Sequence, residues 1–176
     1  VSIPNIITLL RIFLVPAVVW AIASGEPLLA FWLFLAAGIS DALDGFIAKR
    51  FHMQTELGSY LDPVADKALL VSIYVTLAVV GLIPRWVAIA VVSRDFMIIG
   101  AVVLSLVMAK PVTISPLLIS KVNTAAQISF AAIVLATAGF GVTVPGLYDL
   151  GLVLVGLLTG LSAAAYLAAW TRHMAS

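Results

Sequence analysis

Cysteine is absent from all 176 residues, which excludes disulfide bridges and thiolate metal sites. Charge is nearly as scarce. Asp, Glu, Lys and Arg make up 10% of the chain against 64% hydrophobic residues, and the formal net charge is only +1. No basic run exists that could track a phosphate backbone, so nucleic-acid binding is excluded as a function class. No basic leading segment of the kind that opens a cleavable signal is visible at Val1. Apolar length is what the chain has in abundance. A mean hydropathy of +1.23 points to a polytopic integral membrane protein and not to a water-soluble domain.

Six apolar segments can be drawn, over 5–23, 28–48, 60–82, 86–108, 116–139 and 147–170. Each is near the ~20 residues that a helix needs to span a bilayer. Gly and Pro mark the joints, at Gly25-Glu26-Pro27, Gly81 to Pro84, Pro111 and Gly141 to Gly146. The expected fold is an all-α integral membrane protein of six transmembrane helices, forming one domain over 1–176. A short N-terminal interfacial segment precedes the first helix, with Ser2 or Asn5 as its cap. Lys49, Arg50, Lys110, Lys121 and Arg172 gather at one set of helix ends, and only Arg85 lies at the other. The richer side is expected to be cytoplasmic, with both termini inside, Trp20, Trp32 and Trp86 at the outer interface and Trp170 at the inner one.

Against this background four aspartates stand out in 41–67: Asp41, Asp44, Asp62 and Asp66. An ionised carboxylate at or just inside a bilayer costs several kcal/mol unless it is compensated. At ~100° per residue, Asp41 and Asp44 project within ~60° of each other, and Asp62 and Asp66 within ~40°. Two helices joined by a short loop around Phe51 to Leu57 would bring the pairs face to face. Four such groups at one locus repel, and only Lys67 lies nearby within these helices. Divalent cations resolve the conflict, and all-oxygen ligation favours Mg2+ or Mn2+ over zinc. The competing reading, helix-to-helix hydrogen bonding, accounts for a single intramembrane Asp better than for two spaced pairs. Gly45 and Gly58 leave room for a ligand to approach the backbone, or ease close helix packing.

The spacing D-x2-D-G-x2-A-R-x8-G-x3-D-x3-D resembles the defining motif of the CDP-alcohol phosphotransferases, integral membrane enzymes of phospholipid synthesis. The match runs through Asp41, Asp44, Gly45, Ala48, Gly58, Asp62 and Asp66, with Lys49 where the family usually has Arg. Lysine keeps the charge but loses the two-pronged fork. The resemblance implies transfer of a phosphatidyl group from CDP-diacylglycerol to an alcohol with release of CMP. It implies a metal-held diphosphate, Asp66 as general base, and a homodimer. Gly45, Ala48 and Gly58 would make room for cytidine and ribose, with Lys49 near a phosphate. Asn5, Thr8 and Arg11 form a polar stripe on the first helix. That stripe either packs against polar groups or, as P-N-x-x-T-x-x-R in the family, lines the nucleotide site. Arg11, about two turns deep, needs an anionic partner.

Further along, Ser93-Arg94-Asp95 lies well inside the fourth segment, either as a structural ion pair or with Arg94 facing a cavity to hold a lipid phosphate. Lys121, Asn123, Thr124 and Gln127 open the fifth. They read as a snorkelling Lys over a polar helix start or, with Arg94 and Arg11, as an acceptor-phosphate pocket. Gly156, Gly160, Ala164 and Ala168 give the sixth segment a small-residue face for close packing. His52 and Glu56 read as solvated loop residues.

Ile3-Pro4-Asn5, Ser93-Arg94-Asp95 and Ile119 to Thr124 most resemble the cardiolipin-forming branch of the family, which takes phosphatidylglycerol as acceptor. The glycerol 3-phosphate branch tends to carry Lys where this chain has Asn123. One cation fewer suits a phosphodiester better than a phosphomonoester of nearly two charges. Both substrates would enter from the surrounding lipid. The membrane expected is the bacterial inner membrane with the site facing the cytoplasm, or the mitochondrial inner membrane in a eukaryote. A metal-ion transporter is the alternative of a different class. It would need polar groups reaching both faces and a repeat or broken helices, and neither is evident in the sequence.

Overall fold

The computed structural model describes residues 3–52, 56–109 and 118–175, with side chains described from Asn5 in the first helix and from Ala65 in the third. Six helices follow in order: α1 (Ile3–Ala23), α2 (Pro27–Arg50), α3 (Glu56–Val79), α4 (Arg85–Val107), α5 (Leu118–Phe140) and α6 (Leu147–Ala175). There is no strand among the described residues. Among the described residues, five helices, α1, α2, α4, α5 and α6, are long and apolar enough to cross a membrane.

The punctuation is local chemistry. At the end of α1, Glu26 N–H bonds to Ala21 C=O at 2.9 Å and Gly25 N–H to Ile22 C=O at 3.2 Å. Gly25 sits at φ +75°, the left-handed conformation that this double bond pattern requires and that costs glycine nothing. Gly81, at φ +85°, closes α3 in the same way through Leu82 to Leu77 and Gly81 to Ala78. Asn5 does not cap α1. It is the third residue of the helix and 6% exposed, while Ser2 lies outside the described residues. The helix starts before Asn5 and turns that amide inward.

Burial is inverted relative to a water-soluble protein. Phe13, Val79, Val107 and Leu118 are more than 70% exposed, whereas Thr8, Arg11, Asp44, Arg94, Asn123 and Gln127 are at most 2% exposed. Lipid tolerates apolar side chains and penalises polar ones, so polar groups turn inward and find one another.

Within the 1–176 span expected as one domain, two compact units are distinguished: Val1–Leu82 with Ala131–Thr143, and Ile83–Phe130 with Val144–Ser176. In the first, α1 packs on both α2 and α3 around Val18, Ala21, Ala30, Ala37, Ile73 and Leu77, all fully buried. The second half of α5 joins it, bringing Phe140 edge-on to Phe31 at 5.9 Å. In the second unit α4 packs on α6, with Val87, Val91 and Val155 at its core. The buried face of α6 is Val155, Thr159 and Ser162, not the expected small-residue face. Gly160, Ala164 and Ala168 are exposed, while a Cβ on Gly156 would lie 3.0 Å from the Trp86 ring. Small residues permit close approach, but larger side chains one turn away decide which face is used.

Candidate functional site

Three helices of the first unit build the acidic site. On α1, Asn5, Thr8 and Arg11 recur every three residues and are all buried, so the polar stripe faces inward. From α2 come Ser40, Asp41 and Asp44, and from α3 comes Asp66. The Arg11 guanidinium stands among them. Its Nη1 lies 3.3 Å from Asp41 Oδ1 and 3.3 Å from Asp66 Oδ1, and its Nη2 lies 3.5 Å from Asp44 Oδ2. Its Nε donates to Ser40 Oγ at 3.5 Å, and Ser40 is itself anchored to Ala37 C=O at 2.8 Å. Thr8 Oγ1 donates to Asp44 Oδ2 at 2.8 Å. Asp44 forms the floor, with 2% of its side chain exposed, whereas Asp41 and Asp66 form the rim at 51% and 45%.

The two helical spacings thus bring residues of both expected pairs to one place. Asp62 and Gly58 fall outside the described side chains. Lys67 is not the sole cation nearby: Arg11 contacts three carboxylates. Arg11 has the anionic partners that its depth demanded, in the carboxylates of Asp41, Asp44 and Asp66. The signal available in the sequence was the shared stripe with Thr8 and a similar depth to Asp44. Nothing local pointed to the 55-residue contact with Asp66.

A gathered, all-oxygen and partly exposed set of carboxylates has the donor chemistry that hard divalent ions require. Among the described residues, however, no three His, Asp or Glu side chains are placed to hold a metal ion, and the Asp62 side chain lies outside that set. Next to Asp44, a Cβ at Gly45 would meet no atom of the described residues within 4 Å. Ala48 is half-buried and Lys49 exposed.

The second unit holds a separate polar cluster. Arg94 is 2% exposed. It pairs with Asp95 at 2.9 Å, donates to Ser162 Oγ at 3.1 and 2.9 Å, and also reaches Ser120 Oγ. Its guanidinium carbon lies 5.7 Å from the centroid of the Tyr166 ring. These contacts favour the ion-pair reading of Arg94 over one in which its fork is open to a ligand. Asn123 is fully buried, and its Oδ1 accepts from Thr159 Oγ1 at 3.1 Å, which in turn accepts from Gln127 Nε2 at 3.3 Å. Lys121, by contrast, is exposed.

Comparison with known proteins agrees with the acidic motif. The family model for CDP-alcohol phosphatidyltransferase matches residues 1–171. The chain is 37% identical over 155 residues to a human protein named cardiolipin synthase (CMP-forming), covering 79% of the chain and 52% of that protein. It is 36% identical over 160 residues to a probable cardiolipin synthase (CMP-forming) of Drosophila melanogaster, covering 82% and 48%. A probable phosphatidylglycerophosphate synthase of Mycobacterium tuberculosis is 35% identical over 111 residues, covering 60% and 52%. The chain therefore spans about half the length of these relatives. A match along nearly its whole length, together with aspartates of the motif drawn onto one buried arginine, places the chain in the CDP-alcohol phosphatidyltransferase family.

Proposed function

We propose that this protein transfers the phosphatidyl group of CDP-diacylglycerol to phosphatidylglycerol, giving cardiolipin and CMP. The observation that carries the reading is the convergence of Asp41, Asp44 and Asp66 within 3.5 Å of one guanidinium. Asp41, Asp44, Asp62 and Asp66 would hold two divalent ions, Mg2+ or Mn2+, which when bound neutralise the diphosphate and the charge left on departing CMP.

The chain's own residues do the rest. Asp66, at the half-exposed rim, takes the proton from the acceptor hydroxyl as that oxygen bonds to the phosphatidyl phosphorus and the bond to CMP breaks. Asp44, held by Thr8, keeps the floor of the pocket in place. The space at Gly45 leaves room beside the floor for the nucleotide, a part that the motif gives also to Ala48 and Gly58, and Lys49 would approach a phosphate. Asn5 and Thr8 line the nucleotide side of the site, Thr8 through its bond to Asp44.

Phosphatidylglycerol is favoured over glycerol 3-phosphate by Asn123. It is a neutral side chain, fully buried and tied to Thr159, where a doubly charged acceptor would be served better by a cation. Lys121 is the exposed cation left to meet an acceptor phosphate, with Arg94 supporting that region through Ser120. The reading includes a homodimer in the inner membrane, with the site open to the cytoplasm. The relatives named for phosphatidylglycerophosphate synthesis support the second acceptor as the alternative.

The test is purified protein with labelled CDP-diacylglycerol, offered phosphatidylglycerol and glycerol 3-phosphate separately. Cardiolipin and CMP from the first acceptor alone are expected. A product formed only with glycerol 3-phosphate overturns the acceptor. Divalent-ion uptake into sealed vesicles without any product would overturn the enzyme reading in favour of a transporter.

A further inference from the structure

The two buried arginines are held very differently. Arg94 closes on Asp95 at 2.9 Å and on Ser162 at 2.9 and 3.1 Å, near the ~2.7–2.9 Å of a well-formed charge-assisted bond. Arg11 is buried just as deeply, yet its carboxylate contacts are 3.3, 3.3 and 3.5 Å. Among the described residues its Nη2 makes no hydrogen bond beyond the 3.5 Å approach to Asp44. One delocalised positive charge is spread over three carboxylates on two other helices, and it fits none of them closely. A flat guanidinium about 5 Å across cannot draw three carboxylates onto one point, whereas a small divalent ion takes oxygens at ~2.0–2.2 Å.

We propose that Arg11 is a resident counter-cation of the carboxylate pocket. It keeps Asp41, Asp44 and Asp66 together when no divalent ion is present, and it competes with the ion for the same oxygens. The proposal rests on the divalent-ion reading above. Two consequences follow from charge alone. Without Arg11 the ion-free pocket loses a buried cation that contacts all three carboxylates and restrains their repulsion, so the ion-free protein becomes less stable. The same loss removes the competitor, so ions bind more tightly. Arg11 is a positioning residue in this scheme, acting through the carboxylates.

The experiment measures Mn2+ binding to the full chain in nanodiscs, from the electron paramagnetic resonance signal of free Mn2+. Wild type is compared with Arg11→Gln, Arg11→Lys and Asp41→Asn, all purified with Mn2+ present and then titrated by competition with a chelator. Arg11→Gln is expected to lower the Mn2+ Kd by at least about tenfold, or about 1.4 kcal/mol. Arg11→Lys should fall between it and wild type. The difference in Tm between chelator and saturating Mn2+ should be larger for Arg11→Gln than for wild type. Arg11 variants that bind Mn2+ no more tightly than wild type overturn the proposal, while loss of binding in Asp41→Asn leaves the ion site itself standing. If Asp41→Asn binds as wild type does, the ion-site reading falls and takes this one with it.

Discussion

Asp44 and Asp66 share a guanidinium but not an environment. Asp44 is enclosed and held at 2.8 Å by Thr8, so it is fixed in direction and shielded. Asp66 has 45% of its side chain exposed, which lets an acceptor hydroxyl reach it. On the proposed reaction the base must be within hydrogen-bond reach of the proton it takes, and exposure favours Asp66 over Asp44 for that part. Asp66→Asn keeps the shape and removes the proton acceptor. It should cut CMP release by at least about 10²-fold while the protein purifies as a folded species. Release of labelled CMP from CDP-diacylglycerol measures this, and full activity in the variant would remove the assignment of the base. The acidic residues could be picked out from sequence because charge is so rare in this chain. Their division into floor and rim could not, since exposure depends on how α1 lies across α2 and α3.

Helix ends and helix faces obey different rules, and this decides which elements tolerate change. Segment boundaries expected at 5–23, 28–48 and 86–108 lie close to Ile3–Ala23, Pro27–Arg50 and Arg85–Val107, because apolar length and Gly or Pro punctuation are local properties. The face of α6 was misjudged, because two faces of that helix could pack and only the partner helix selects one. A closer contact involves a glycine that no motif singled out. A Cβ on Gly139 of α5 would lie 2.7 Å from Leu28 Cα and 2.8 Å from its backbone N, and backbone atoms cannot swing aside. Gly139→Ala should therefore destabilise by about 1–3 kcal/mol, read as a lower Tm in detergent. Gly160→Ala, with nothing within 4 Å, should leave Tm unchanged or raise it, since alanine favours a helix. Equal tolerance at both positions would contradict the close approach of α2 and α5.

Across the whole chain the asymmetry of Lys and Arg makes topology testable, and a chain without cysteine is a ready background for it. Ser24→Cys, in the exposed turn after α1, and Ala175→Cys, at the end of α6, should be labelled from opposite sides. An impermeant maleimide on intact cells is expected to reach the first and to reach the second only after permeabilisation. The reverse pattern would turn the acidic pocket away from the cytoplasm, where nucleotide-activated substrates are made. What the sequence by itself determined is the membrane class, the helix lengths and the nearness of Asp41 to Asp44, because bilayer thickness and the 3.6-residue turn act on contiguous residues. What only the tertiary structure decided is the partner of each buried cation. Arg11 meets Asp66 across 55 positions and Arg94 meets Ser162 across 68, and such pairings depend on the rotation and depth of whole helices, on which no local pattern carries information.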